Sequence, residues 1–312
     1  MVMAKADIPD LVETTSNSHH EHRHTADHIG MPVKIVKRET LAPNVQLLTV
    51  KAPAVAHKIQ PGQFVMVRAD EYGERIPLTV ADWNREEGTV SCAFLQVGTS
   101  TYKLGFLKEG DTLPTFVGPL GKALELDHWG TVLCAGGCYG IGSIYPVARA
   151  LKEKGNQVIC LIEGRSKFLL YWLDRLEAVS DQLMVTTRDG SLGEKDGYPK
   201  LVTEWLASGG QLDRVVAIGC TYMMYKMAEA TRQAGIKTIV SLNPIMIDGT
   251  GMCGACRVSV GGETRFACVD GPDFDAHQVD WDLLLTRRKA YLSQETDAAD
   301  RSRHPRGRRS GR

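Results

Sequence analysis

Four residues near the C-terminal end are spaced for iron chemistry. The stretch DGTGMCGACRVSVGGETRFAC runs from Asp248 to Cys268 and holds Cys253, Cys256 and Cys268. Five residues before Cys253 stands Asp248, so the pattern is D-x4-C-x2-C-x11-C. Plant-type two-iron clusters are held by C-x4-C-x2-C and a more distant cysteine. The spacing therefore predicts a [2Fe–2S] loop with Asp248 in place of the first cysteine. A carboxylate oxygen binds iron as a harder, less donating ligand than thiolate. Gly249, Gly251 and Gly254 let the backbone wrap a cluster and aim N–H groups at its sulfurs. A zinc site and three structural thiols are the alternatives, but zinc prefers paired C-x-x-C knuckles and only one is present.

A second constellation lies upstream. GGCYGIGS, Gly136 to Ser143, follows the apolar run TVLCAGG and opens a helical pattern. Gly136, Gly137, Gly140 and Gly142 are placed to let a pyrophosphate approach a helix N-terminus. The turn is not a clean G-x-G-x-x-G. Glu163 ends the second strand and is a candidate for a ribose hydroxyl. Arg165 follows it and is a candidate for a 2′-phosphate, so NAD and NADP both stay open. Cys220 ends a strand at IGC, where ligands meet a doubly wound sheet, so its thiol could touch a nicotinamide ring or simply pack. Cys92, Cys134 and Cys160 read as core residues, and Cys138 sits in the turn where glycine would be easier.

Two short runs could hold a further phosphate-bearing ligand. RIPLT, Arg75 to Thr79, sets an arginine beside a proline-fixed turn. VGTST, Val97 to Thr101, offers backbone and hydroxyl donors. Each alone is compatible with a surface loop.

The elements that must position these groups follow from the pattern. Residues 31–128 show short alternating runs punctuated by Pro and Gly, which predict an antiparallel β-barrel with one helix near 100–107. Residues 129–240 alternate strands with helices of 10–15 residues, which predict a doubly wound parallel sheet. One of those expected helices covers KFLLYWLDRLEAVS, residues 167–180. Residues 241–292 hold the cysteine loop, then a loop and a closing helix. Residues 1–30, with five of the chain's nine histidines, and the basic 293–312 read as disordered tails. Weak metal binding by the histidine cluster is the lesser reading, and Met31 is a candidate start.

The chain has 312 residues, balanced charge (37 basic, 37 acidic) and 24% charged residues. That balance supplies no argument for nucleic acid or a membrane surface as partner. No apolar run has the length of a membrane span, and the N-terminus lacks the apolar core of a secretory signal. Eight cysteines without such a signal point to a reducing, cytoplasmic setting rather than a disulfide scaffold.

Taken in order, the R-x-P-L-T barrel, the Gly-rich βα unit, the strand ending GC-x-x-MM and the cysteine loop resemble ferredoxin reductase-like flavoproteins with a C-terminal [2Fe–2S] loop. That group includes the electron-transfer subunit of dihydroorotate dehydrogenase. It also includes the small FAD-containing subunit of ferredoxin:NADP oxidoreductases and the sulfide dehydrogenase type. PGQFVMVR, GERIPLTVADW, GPLGK, YPVARALKE and the run from VSLNPIMIDG onward place the chain nearer the latter kind. Asp248 stands where the dihydroorotate subunit has cysteine.

The resemblance, over roughly residues 31–292, implies an α/β plus all-β fold: an FAD-binding barrel, an NAD(P)-binding domain and the cluster loop. It implies that NAD(P)H passes a hydride to FAD and that electrons move singly to the cluster, or the reverse. Arg75, Pro77, Leu78 and Thr79 would hold the flavin, completed by Phe94, Gly98, Ser100 and Thr101. Gly136, Gly137, Gly140 and Gly142 would hold the dinucleotide, and Thr79 and Cys220 would face the reacting rings. A two-electron carrier beside a one-electron cluster needs a flavin between them. The implied partner is a larger flavoprotein resembling the glutamate synthase small subunit, with ferredoxin as a possible further one. The alternatives are the dihydroorotate dehydrogenase subunit itself and, in another class, a non-enzymatic redox-sensing regulator.

Overall fold

The computed structural model describes residues 32–195 and 197–303. The histidine cluster, Met31 and the basic 304–312 lie outside them.

The first unit is an antiparallel barrel. Its strands are β1 (Val33–Ala42), β2 (Val45–Lys51), β3 (Phe64–Arg68), β4 (Ile76–Asn84), β5 (Thr89–Leu95), β6 (Thr112–Leu113) and β7 (Thr115–Leu120), in the order β6-β1-β2-β5-β4-β3-β7. The two edge strands are halves of one stretch split at Pro114. Proline has no N–H for the ladder, so the chain leaves β1 there and joins β3, which closes the barrel. Alternation drives the burial: Val33 and Ile35 point inward while Lys34 and Val36 face solvent. Two helices flank the barrel, the unexpected α1 (Pro53–Lys58) and the expected α2 (Thr99–Phe106).

The second unit is a seven-stranded sheet covered by helices. Its parallel strands are β8 (Thr131–Gly137), β9 (Gln157–Gly164), β10 (Gln182–Thr187), β11 (Glu194–Lys195), β12 (Arg214–Ile218) and β13 (Lys237–Ser241). The order is β11-β10-β9-β8-β12-β13-β16, where β16 (Asp273–Asp275) is an antiparallel edge. Strands are added outward on one side of β8 as far as β11 and then on its other side from β12, which makes the β8–β12 boundary the switch point. Helices α3 (Gly140–Glu153), α4 (Leu173–Glu177), α5 (Tyr198–Ala207) and α6 (Thr221–Arg232) connect the strands. Between β13 and β16 lies the cysteine loop with its hairpin, β14 (Arg257–Val260) and β15 (Glu263–Phe266). Helices α7 (Trp281–Arg288) and α8 (Leu292–Arg303) follow.

Two expectations are corrected. The helix expected over 167–180 is only a short 3-10 turn, Lys167–Leu169, and the five-residue α4. Between them Leu170 and Tyr171 turn inward and Trp172 adopts a left-handed φ of 58°. Burying those side chains outweighs helix continuity. The tail expected over 293–312 is helical as far as Arg303, because α8 lies on α2. There the Thr99 hydroxyl meets Ser302 Oγ at 2.9 Å and donates to the Ala298 carbonyl at 3.3 Å.

Cys92, Cys134 and Cys160 are core residues, at most 2% exposed. Burial pushes the Cys92 and Cys160 thiols up to about 12, so both stay protonated and inert.

Candidate functional site

Strand β4 carries the RIPLT run and also docks the barrel on the α/β unit. Its Asp82 takes an ion pair from Arg149 of α3 at 3.1 Å and a second from Arg175 of α4. Arg175 stacks 4.2 Å from the rings of both Tyr145 and Trp172, which fixes the pair in place. At the same seam a β-carbon on Gly142 would fall 2.9 Å from Cβ of Ala93 on β5 and 3.4 Å from Cβ of Ala81 on β4. Only glycine lets helix and barrel come this close. Gly142, expected at the dinucleotide, therefore packs the two units together.

Arg75 is exposed and makes no hydrogen bond or ion pair among the described residues. Pro77, Leu78 and Thr79 follow it, half-buried, along β4. A cation left unpartnered beside a firmly held strand is suited to an anionic group. Gly98 is the N-cap of α2, and a β-carbon there would meet nothing within 4 Å. Thr101 is not free for a ligand: its hydroxyl accepts from the N–H groups of Val97 and Gly98, each at 3.0 Å. It caps the helix instead. Phe94 is corrected as well. At 2% exposure its ring fills the barrel core and lines no cleft.

The Gly-rich turn closes over the switch point. A β-carbon on Gly140 would come 1.9 Å from the Ile218 carbonyl, and one on Gly136 2.9 Å from the Gly140 carbonyl. One on Gly137 would meet the Met223 sulfur at 2.8 Å. These glycines serve close helix–strand packing. The Gly142 N–H donates to the Tyr171 hydroxyl at 3.0 Å, and that hydroxyl lies 3.2 Å from the carbonyls of Cys138 and Tyr139. Burial raises the Tyr171 pKa well above the usual phenol range, so the hydroxyl keeps the proton it donates. Tyr139 donates to the Gly219 carbonyl at 2.8 Å and accepts from Asn243 at 2.6 Å. Thr221 donates to Asn243 at 2.8 Å, so the turn, α6 and the segment leading to the cysteine loop are cross-tied.

Around the open mouth stand Cys138, Cys220, Glu163, Arg165 and Arg188. Glu163 accepts from Arg188 at 3.2 Å and from the Tyr198 N–H at 3.3 Å. Both oxygens of the expected ribose-binding acid are thus engaged, one of them by a cation.

The cysteine loop is shaped by left-handed glycines at 249, 251 and 254, with φ of 78°, 87° and 64°. The Asp248 carboxylate accepts the N–H of Thr250 at 2.8 Å and of Cys253 at 2.7 Å. Those bonds, Thr250's above all, hold its pKa below the usual carboxylate range, so it stays anionic. The buried sulfurs of Cys256 and Cys268 lie 3.2 Å apart, and Cys253 is exposed. Burial first, then Cys256, pushes the Cys268 thiol up to about 12. Among the described residues no three such side chains surround a single-ion position. The donor set is instead three thiols and one anionic carboxylate on a loop bent by glycines. That set fits an iron–sulfur cluster, whose binding would displace the thiol protons.

The loop sits against the barrel. A β-carbon on Gly249 would lie 2.7 Å from Met66 Cγ and 3.0 Å from Leu120 Cδ1. Met66 is paired directly with Pro77 of the RIPLT run, and Phe64 with Thr79. The cysteine loop thus rests on β3, and β3 lies one strand spacing, about 5 Å, from the segment that offers Arg75 and Thr79.

Comparison with known proteins agrees with this arrangement. Residues 243–280 match the iron–sulfur cluster binding domain of dihydroorotate dehydrogenase B. A Thermotoga maritima homolog of the dihydroorotate dehydrogenase B (NAD(+)) electron transfer subunit is 45% identical over 272 residues, covering 86% of this chain and 94% of that protein. The chain belongs to this family of electron-transfer subunits. The Enterococcus faecalis electron transfer subunit is 30% identical, over 78% of this chain and 96% of its own length. A solved NADH-dependent reduced ferredoxin–NADP oxidoreductase superposes with a TM-score of 0.81 at 45% identity, covering 86% of this chain and 97% of that one. A ferredoxin reductase of carbazole 1,9a-dioxygenase superposes at 0.57 and 20% identity, which shares the fold alone. The ferredoxin reductase-like fold and the electron-transfer role expected from the motifs both stand.

Sequence reasoning missed Asp82, Tyr171 and Asn243, which hold the site together. Only the inward-turning Tyr171–Trp172 pair left a trace, as aromatic bulk inside a segment otherwise patterned as a helix.

Proposed function

We propose that the chain is the electron-transfer subunit of an NAD(P)H-dependent oxidoreductase, carrying FAD in the barrel and a [2Fe–2S] cluster in the loop. The contact that carries this reading is Gly249 on Met66, with Met66 paired to Pro77. It sets the cluster loop beside the strand that would hold the flavin. FAD supplies the step between two-electron and one-electron chemistry. Arg75 neutralises a phosphate of that ligand, and the α2 amides take a second. Thr79 lies at the ring edge. Asp248, Cys253, Cys256 and Cys268 ligate the cluster. Met66, Leu120 and Phe64 exclude water between the loop and the barrel. NAD(P)H enters at the switch point, past Cys220 and Gly137, and its adenosine end meets Arg165, Arg188 and Glu163. Subunits of this kind hand electrons to a larger flavoprotein, so the working unit is a heterodimer in the cytoplasm. The glutamate synthase small subunit is the type expected for the larger chain.

The test is an absorption and EPR spectrum of anaerobically purified protein before and after addition of NADH or NADPH. Flavin bands near roughly 450 nm that bleach with nucleotide, with a reduced two-iron signal, support the reading and name the nucleotide. Colourless protein containing zinc refutes it.

A further inference from the structure

The switch-point crevice carries a cysteine on each lip. β8 and β12 are parallel, and the last paired residues are Gly136 with Ile218. The register continues to Gly137 beside Gly219: a β-carbon on Gly219 would lie 3.2 Å from the Gly137 carbonyl and 3.4 Å from its nitrogen. The residue after each of these glycines is a cysteine: Cys138 in the turn that leaves β8, and Cys220 at the N-cap of α6. Both are exposed. Gly137 and Gly219 are in backbone contact, so the two thiols leave from adjoining points of the chain, and a disulfide needs its α-carbons about 4.4–6.8 Å apart.

The backbone at Cys138 adds a second observation. Its φ is 55°, in the left-handed region. A non-glycine residue there carries backbone strain that glycine would avoid. A thiol is kept at the place where a β-carbon is least welcome.

We infer that Cys138 and Cys220 form a reversible disulfide that closes the nicotinamide entrance under oxidising conditions. The oxidant is a small-molecule disulfide. The Cys220 thiolate attacks one of its sulfurs, forming a mixed disulfide and releasing one thiolate. Cys138 loses its proton to solvent and attacks the Cys220 sulfur, releasing the second thiol. Two electrons pass from the protein thiols to the oxidant, and a dithiol reverses both steps. Burial and the nearby Cys220 hold the Cys138 thiol above its ordinary value, which suits Cys138 to the second step. The bridge would tie the Gly-rich turn to the start of α6 across the crevice. The thiol chemistry stands on its own, while its effect on nucleotide rests on the function proposed above.

The experiment uses anaerobic, cluster-loaded protein treated with oxidised glutathione. A non-reducing digest is read by mass spectrometry, and NADH and NADPH affinities are measured before oxidation, after it, and after dithiothreitol. The expected result is a linked pair of peptides containing Cys138 and Cys220, with affinity falling at least about tenfold and recovering on reduction. Cys138→Ser should give no linked pair, and the double variant Cys138→Ser/Cys220→Ser should keep, after oxidant, the affinity it had before it. Unlinked or merely glutathionylated Cys138 and Cys220, or disulfides confined to the cluster cysteines, would overturn the bridge. A bridge that leaves affinity unchanged would overturn the closure. Protein that binds no nucleotide even when reduced would count against the proposed function, while the digest would still decide the thiol pair.

Discussion

Asp273→Asn should make the protein less sensitive to alkaline pH. Asp273 opens β16, opposite Ser241, in the seam between the sheet and the barrel. Its two carboxylate oxygens are buried, and neither has a hydrogen-bond partner among the described residues. One oxygen lies over Gly62, where a β-carbon would sit 2.4 Å from it, and Leu124 packs beside the same glycine. Burial pushes its pKa from 3.8 up to about 7. The folded pKa is raised, so the protonated acid is the form the fold accepts. Its contribution is fully present below the unfolded value and is lost as pH rises through about 7.

The magnitude follows from the shift. From 3.8 to about 7 is about 3 units, or roughly 4 kcal/mol over the whole range. About 2.5 kcal/mol of that falls between about pH 5 and about pH 8, or roughly 4 °C in thermal midpoint for a chain of this size. The assay is thermal unfolding of cluster-loaded wild type and variant at both values of pH. Effects of pH on the bound groups are common to both proteins and cancel in the comparison. Wild type should lose more stability than the variant on going to about pH 8, by that amount. Equal losses in the two proteins would refute the argument, and so would a variant that falls further than wild type.

The remaining expectations concern the turn and the cluster loop. Gly140→Ala sets a β-carbon 1.9 Å from the Ile218 carbonyl, so helix and strand must part. Chemical denaturation should show a loss of more than about 3 kcal/mol, and a loss under about 1 kcal/mol would contradict the packing role. Tyr171→Phe deprives the Gly142 N–H of its acceptor; it should cost about 1–3 kcal/mol and weaken nucleotide binding, and unchanged values in both measurements would argue against the tie. Asp248→Cys exchanges a hard oxygen ligand for thiolate, so the cluster potential in an anaerobic EPR titration should fall; an unchanged or higher value would refute Asp248 as a ligand.

The cysteine loop and the two-unit architecture were legible because their signals are local. Ligand spacing survives in one short window, and alternation with period two gives way to βα units at residue 129. The lost features depend on partners far apart in sequence. Asp82 reads as an ordinary strand residue until α3 and α4 bring Arg149 and Arg175 to it. Residues 167–180 carry a helical pattern, but the Tyr171 hydroxyl reaches a turn more than thirty residues earlier, and no window around 171 contains that demand. Phe94 and Thr101 were misplaced for the opposite reason. Their positions suited a ligand, but the barrel core claims one side chain and a helix cap the other.

The glycines of the turn extend the same point to the site itself. Gly136 and Gly140 look like part of a phosphate cradle in sequence, yet each is required where it stands by backbone of another element. Gly142 is required by the barrel. The turn therefore fixes the distance between the nucleotide-binding sheet and β4, while β4 and β3 fix the distance to the cluster loop. A change at the turn should disturb electron delivery to the cluster as well as nucleotide binding, because both depend on how β4 meets α3. Asp82→Asn tests this coupling directly. It leaves every proposed ligand untouched but removes the charge that Arg149 and Arg175 share. Stopped-flow reduction by NADH or NADPH should then show slower cluster reduction with flavin and iron contents unchanged. Wild-type rates in that variant would show that the seam does not set the path.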